Sequence, residues 1–367
     1  EREREREMGV REYMRDSVPF VGMVMVVLAQ VTNMMVTKLA ISRGMNSLVL
    51  AVYATALSSL ILLPYALFFH CTVGTSEHPP LTFSILCRIF LIALTGTLGL
   101  LTGYAGLQYS SATLGTAMLN LIPAFTFILA IIFRMERLDW KSSSTRAKSV
   151  GTLVSIGGAF IVVFYEGPQI MITSWLSGSP YRLVSVPSHW ILGGFLFACE
   201  SLSNSLWYIL QTSTLKKYPA EVMIVFYNCC FVTIQSAVIV SLIAERDPSS
   251  WRLKSDMVLI AISYIAVVGT VFRFSVATWC LGRRGPLYVS MFKPLAVVVA
   301  VGLGVIFVGD ALYLGSLVGA LIIVTGFYAV MWGKAKEEKV SEDDGGEQSL
   351  ESSTPNVPLL QNRIGEV

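Results

Sequence analysis

The sequence is dominated by apolar runs of about 18–25 residues, each long enough to cross about 30 Å of hydrocarbon, joined by short polar links. Inside lipid every backbone N–H and C=O needs a partner within the chain, so such runs read as helices. Ten are recognisable, near residues 18–38, 47–69, 83–103, 112–133, 149–165, 190–211, 221–244, 257–280, 287–308 and 312–332. Only 14% of residues are charged, against about 25% in a soluble domain. The expected fold is an all-α, multi-pass membrane protein of ten transmembrane helices.

Basic residues orient it. Arg11, Arg15, Arg134, Arg137, Lys141, Arg146, Lys148, Lys216, Lys217, Arg283, Arg284, Lys334 and Lys336 fall on the side of the N-terminus. The other side carries fewer: Lys38, Arg43, Arg182, Arg246, Arg252 and Lys254. The imbalance places both termini in the cytoplasm. Glu1–Glu7, before Met8, read as a non-native extension, and the first run reads as a signal-anchor span rather than a cleaved leader. From Lys334 onward the chain turns polar and acidic, which predicts a disordered cytoplasmic tail over 334–367. Its serines and Leu359–Leu360 match phosphorylation and sorting patterns that arise commonly by chance.

An internal repeat organises the spans. NSLVLAVY at 46–53 resembles AEVMIVFY at 220–227, and LIPAFT around Pro123 aligns with FKPLAV around Pro294. GTLVSIGG at 151–158 matches GALIIVTG at 319–326. Five spans are therefore repeated, over 18–165 and 190–333, with an N-terminal segment 1–17 and a loop 166–189 outside the repeats. Because five is odd, the second half enters the membrane from the opposite face. Inverted repeats of this kind place a transport site near the midplane, where the halves meet.

The sixth span carries a carboxylate, Glu200, near its middle. Glu200, Asn204, Trp207 and Gln211 fall within roughly 60° of one another on a helix, with Tyr208 beside them. A mid-membrane carboxylate is costly and marks a functional site by default, although a hydrogen-bonded structural acid is the plain alternative. The repeat aligns Gln30 with Glu200 and Asn33 with Ser203, so two polar stripes are expected to face one central cavity. Asn120, Tyr227 and Lys293 join Gln30, Asn33, Asn204, Trp207 and Tyr208 as candidate substrate-binding residues, with Glu200 as the proton-coupling residue. Lys293 either snorkels to the interface or pairs with Glu200 or an anionic substrate. Arg273 should face the bundle interior, and Tyr53 and Asn228 offer further aromatic and hydrogen-bonding groups. Pro123 and Pro294 are candidate hinges, and Gly99-x-x-x-Gly103 fits close helix contact.

Several functions are excluded or disfavoured. The net charge of +3 comes with no basic, aromatic-interleaved patch, so nucleic acid is not an expected partner. The six cysteines and His70, His78 and His189 have no metal-ligand spacing, and no cofactor is implied. There is no GxxxxGK[ST] loop and no hydrolase arrangement, so neither an ATP-driven pump nor an enzyme is expected.

The stretches NLIPAFTFILAIIFRMERLD and GTLVSIGGAFIVVFYEGP resemble the first EamA-type half of the drug/metabolite transporter superfamily. TWCLGRRGPLYVSMFKPLAVVVAVGLGVIFVGDALYLGSLVGALIIVTGFYAVMWGKAKE resembles the second half of its plant members. The chain is thus similar, over nearly all of 18–336, to the plant Walls-Are-Thin-related proteins, also called nodulin-like or usually-multiple-acids-in-and-out transporters. That resemblance implies two inverted five-helix EamA-type repeats and movement of small metabolites, typically amino acids and in some members auxin, across the plasma or vacuolar membrane. It supplies no catalytic motif. The expected function is a secondary transporter working by alternating access on a small-molecule substrate, with protons as candidate coupling ion and the oligomeric state, a dimer included, left open. The rivals are a sugar-phosphate or nucleotide-sugar exchanger and a non-transporting receptor or scaffold.

Overall fold

The computed structural model describes residues 2–43, 45–72, 81–109, 118–136, 142–165, 169–171, 190–243, 251, 256–303 and 312–351. Leu359–Leu360 and most of the loop 166–189 lie outside them. Among the described residues the regular structure is helical apart from a short antiparallel clip, β1 (Gln169–Met171) against β2 (Leu312–Tyr313). The helices are α1 (Arg2–Ser42), α2 (Ser47–Thr72), α3 (Phe83–Tyr109), α4 (Ile122–Ile132), α5 (Ser143–Phe164), α6 (Trp190–Leu215) and α7 (Glu221–Ile243). They are followed by α8 (Asp256–Tyr264), a π-helical segment (Ile265–Phe272), α9 (Arg273–Leu303) and α10 (Leu314–Glu351).

Among the described residues, six stretches are long and apolar enough to cross a membrane: Ser17–Ile41, Val49–Phe69, Phe83–Gly103, Glu221–Ser241, Asp256–Ala300 and Leu317–Glu337. Large apolar side chains on their outer faces, such as Phe83, Met34, Ile234 and Leu321, are exposed, as lipid requires. Asp256–Ala300 is 45 residues, too long for one crossing of about 30 Å. The chain doubles back within α9 at Gly285, whose φ of +83° is readily reached only without a Cβ. Its two arms meet again around Arg273 and Lys293, which line the same cavity. α6 falls outside the six and carries polar residues within its length, among them Glu200, Ser201, Asn204 and Ser205.

The helical ends extend beyond the expected spans. α1 begins at Arg2, and α10 continues past Lys334 to Glu351, where a disordered tail was expected. Both extensions are rich in Glu, Arg and Lys, good helix formers whose opposite charges recur at helical spacing.

The inverted repeat is visible in the packing. α5 and α10, which carry the two matched glycine stretches, run antiparallel. A Cβ at Gly151 would meet the Gly326 carbonyl at 2.6 Å, and one at Gly158 would meet the Gly319 carbonyl at 2.9 Å. Since Gly151 aligns with Gly319 and Gly158 with Gly326, these two contacts are the same contact seen from each half. Ser155 Oγ donates to the Ile323 carbonyl beside the crossing, 3.1 Å away. Gly326→Ala would press a methyl into the Ser155 backbone nitrogen and the Gly151 carbonyl. We expect it to cost about 1–3 kcal/mol, read as a lower melting temperature in detergent. Gly157→Ala, which meets nothing within 4 Å, should be neutral or slightly stabilising.

Two apolar cores flank the centre. The larger packs the terminus-side half, with Val27, Ile89, Met223, Leu281, Met291 and Phe292 among its members. The smaller, including Val49, Leu50, Val240 and Ile262, closes the opposite end between α1, α2, α7 and α8.

Candidate functional site

Between the cores lies a cavity of about 370 Å³, walled by α1, α2, α3, α6, α7, the π-helical segment and both arms of α9. Glu200, Asn204, Trp207 and Tyr208 enter from α6, Asn33 and Thr37 from α1, and Arg273 and Lys293 from α9. Both halves of the chain therefore contribute to one chamber.

The geometry at Glu200 begins with glycine. Gly96, Gly99, Gly103 and Gly106 form one stripe on α3, and α6 lies antiparallel along it. A Cβ at Gly96 would meet Trp207, one at Gly99 would meet Ser203 and Asn204, one at Gly103 the Glu200 carboxylate, and one at Gly106 would meet Phe197. Lacking those Cβ atoms, α3 comes close enough for Gly103 to seat the carboxylate, whose oxygens lie 2.7 and 2.9 Å from the Cβ position. Asn204 Nδ2 donates to the Glu200 backbone carbonyl at 2.9 Å rather than to its carboxylate. Among the described residues it forms no ion pair.

The repeat predicts the counterpart of this contact. Gly99 aligns with Gly269 and Ser203 with Asn33, and a Cβ at Gly269 would overlap Asn33. One register further on, Gly103 aligns with Arg273 and Glu200 with Gln30. The place occupied by an acid on a glycine in one half is occupied by a cation near an amide in the other. Arg273 Nε donates to the Gly269 carbonyl at 2.7 Å, and its guanidinium carbon lies 4.3 Å from the Phe274 ring centroid. Lys293 Nζ donates to Gln30 Oε1 at 2.9 Å. Lys293 thus neither snorkels to the interface nor pairs directly with Glu200: it is turned inward and held on an amide. The Lys293–Gln30 pair, Arg273, Trp207, Tyr208 and Phe274 also line a second, water-sized void of about 30 Å³ toward the terminus-side core, and form the floor between the two.

Not every candidate reaches the cavity. Gln30 touches its floor through Lys293, whereas Asn120 is buried outside the lining. Tyr227 points away, its ring 5.3 Å from that of Phe226, and its neighbour Asn228 takes the cavity position instead. Tyr53 packs on Trp251 and donates to its carbonyl. Gln211 Nε2 donates to Thr278 Oγ1 below the floor. The two prolines, expected to be equivalent kinks, sit differently. Pro123 lies in the first turn of α4, where a missing N–H costs nothing, and Pro294 lies within a continuous arm of α9. Around the break before α4, Ser201 and Ser205 of α6 donate to the Met118 and Ile122 carbonyls at 2.8 and 3.0 Å. Their spacing of four residues was the only sequence sign of that role. The π-helical segment, of a type often found at functional sites, left no sign beyond Gly269.

A family model described as the EamA-like transporter family matches residues 20–164 and 191–332, one stretch for each half. The chain belongs to the EamA-like transporter family. WAT1-related protein At5g40240 of Arabidopsis thaliana is 42% identical to the transporter, over 99% of this chain and 97% of its own length. WAT1-related protein At3g28050 of the same plant is 40% identical over 97% and 98%. A solved crystal structure shares the fold with a TM-score of 0.65 at 13% identity, covering 88% of this chain and 99% of the other. The transporter is a multi-pass membrane protein of the plant WAT1-related kind, built from two EamA repeats.

Proposed function

We propose that this transporter is a secondary carrier with ten crossings and both termini in the cytoplasm, moving small organic acids by alternating access. Amino acids are the foremost substrates, with auxin-like acids as further members of the class. The observation that carries the reading is one uncommitted carboxylate and two cations converging on a single cavity between inverted halves. A zwitterion matches that arrangement: its ammonium group meets Glu200, and its carboxylate meets Arg273 and Lys293, the latter released from Gln30. Trp207, Tyr208 and Phe274 supply apolar wall for the rest of the molecule.

Glu200 is the proton carrier in this scheme. Held against Gly103 with no ion pair, the carboxylate exchanges a proton with the cavity, and its neutral form crosses the cycle without stranding a charge. In proteoliposomes, an imposed proton gradient should drive amino-acid accumulation by the wild type. Glu200→Gln should lose the accumulation while retaining substrate exchange at equal pH. Undiminished gradient-driven uptake by the variant would remove Glu200 from coupling. The paired cations also suit a phosphorylated substrate, so organic phosphates are the competitors to test: inhibition by them and not by amino acids would favour the exchanger reading. The plasma or vacuolar membrane is the proposed location.

A further inference from the structure

The cavity contains a second set of polar groups that the charged pair does not use. Asn228 and Ser236 lie on the cavity face of α7, only 6% and 5% exposed. Asn228 Oδ1 and Ser236 Oγ have no hydrogen-bond partner among the described residues, and neither does Asn33 Oδ1 on α1. A buried acceptor without a donor costs free energy comparable to a lost hydrogen bond, and native proteins keep few of them. Here three of the four such atoms among the described residues border one chamber. Another polar group of the same lining is satisfied: Thr97 Oγ1 donates to Gln235 Oε1 at 2.9 Å.

Their chemistry defines what they accept. The Asn33 and Asn228 Oδ1 atoms are neutral acceptors, suited to N–H or O–H donors rather than to a carboxylate, and the Ser236 hydroxyl accepts as well as donates. They are not gathered around one point as a metal ion would need, since Asn228 and Ser236 are two turns apart, about 12 Å along the helix. Asn228 lines the same cavity as Arg273, Phe274 and Lys293. Its neighbours Val225 and Cys229 pack with Phe274, which carries Arg273 on its ring. A substrate anchored by its charged head at Arg273 therefore shares its cavity with Asn228.

We propose that Asn228, extended by Asn33 and Ser236, is a specificity-determining subsite that selects substrates carrying an uncharged hydrogen-bond donor beyond the charged head, such as a side-chain amide or an indole N–H. This rests on the zwitterion reading above and narrows it. Substrates with a purely hydrocarbon side chain enter the same cavity but leave Asn228 Oδ1 buried without a donor, and a site built around a hydrogen bond discriminates against such analogues.

Uptake of asparagine and of leucine, whose side chains have nearly the same shape, tests this in proteoliposomes. The wild type should carry asparagine about tenfold or more better than leucine, by initial rate at low concentration. Asn228→Leu should abolish the preference by lowering asparagine uptake, with leucine uptake retained or raised, which also shows that the variant is folded. Asn228→Ala, which adds no bulk, should lose the preference as well and decides the matter if the leucine variant is inactive. A preference unchanged in the variants, with both amino acids still carried, overturns the subsite and leaves the zwitterion reading standing. Failure of the wild type to carry either amino acid overturns that reading, and the subsite with it.

Discussion

Lys148→Met is expected to lower the stability of the folded transporter by about 3–5 kcal/mol, the cost of leaving buried charge without its partner. Lys148 is only 1% exposed and makes two ion pairs, to Glu136 Oε2 at 2.6 Å and to Glu337 Oε2 at 2.9 Å. Glu136, whose side chain is 4% exposed, follows α4 in the first half, and Glu337 lies on α10 in the second. Lys334 closes the cluster with bonds of 3.0 Å to Glu136 and 3.4 Å to Glu337. Both halves are thereby tied at the terminus-side end of the antiparallel α5–α10 pair. Removing Lys148 takes one cation from Glu136 and from Glu337. The pH dependence follows from Glu136. Burial pushes its carboxyl upward, but the charges and hydrogen bonds of Lys334 and Lys148 outweigh that and hold it below the ordinary value of 4.5. A carboxyl depressed on folding contributes stability that is present above its unfolded value and lost as pH falls through the folded one. Wild-type melting temperature should therefore hold from neutral pH to about 4.5 and drop below it. In Lys148→Met the burial effect gains weight, so the deficit relative to wild type should shrink as the medium is acidified. A deficit that is constant across pH would show that Glu136 is not the charge left stranded.

Hydropathy marked the chain as a multi-pass membrane protein, and six apolar stretches stand among the described residues, because lipid imposes one rule on every residue of a crossing. Repeat matching aligned Gln30 with Glu200 and Asn33 with Ser203; Asn33 and Glu200 line one chamber, Gln30 lies at its floor, and Gly99 and Gly269 make equivalent contacts beside it. What stayed hidden depends on side-chain direction, which periodicity leaves open by a residue or two. Tyr227 and Asn228 are adjacent, and the helix turned Asn228 rather than Tyr227 into the cavity. Lys148 counted as a loop charge, yet its stem carries the ammonium group inward to acids distant in sequence. Lys293 was expected to snorkel or to pair with Glu200 or an anionic substrate, and it donates to Gln30 instead because α1 lies against the arm of α9 that carries it. The two prolines looked equivalent, since alignment sees the residue and not the break in the helix before it.

Gly103→Ala should reduce transport by about 100-fold, the penalty for displacing a reacting group by about an ångström, while the protein remains folded. The added methyl would sit 2.7 to 2.9 Å from all three carboxyl atoms of Glu200, inside van der Waals contact. Its obstacle is the far end of a flexible side chain rather than backbone, so the helices need not separate. The carboxylate rotates instead, away from the seat that α3 provides. Gly96→Ala on the same stripe is the control. Its methyl would meet only the Trp207 ring at 3.7 Å, ordinary contact, and transport should fall far less. The decisive comparison is with Glu200→Gln. If Gly103 acts by positioning Glu200, then Gly103→Ala should add little to the loss already seen in Glu200→Gln, because both act through the same group. Independent, multiplying losses in the double variant would show instead that Gly103 serves the packing of α3 on α6 and that the carboxylate needs no seat. A melting temperature for Gly103→Ala within a few degrees of wild type separates these outcomes from simple unfolding.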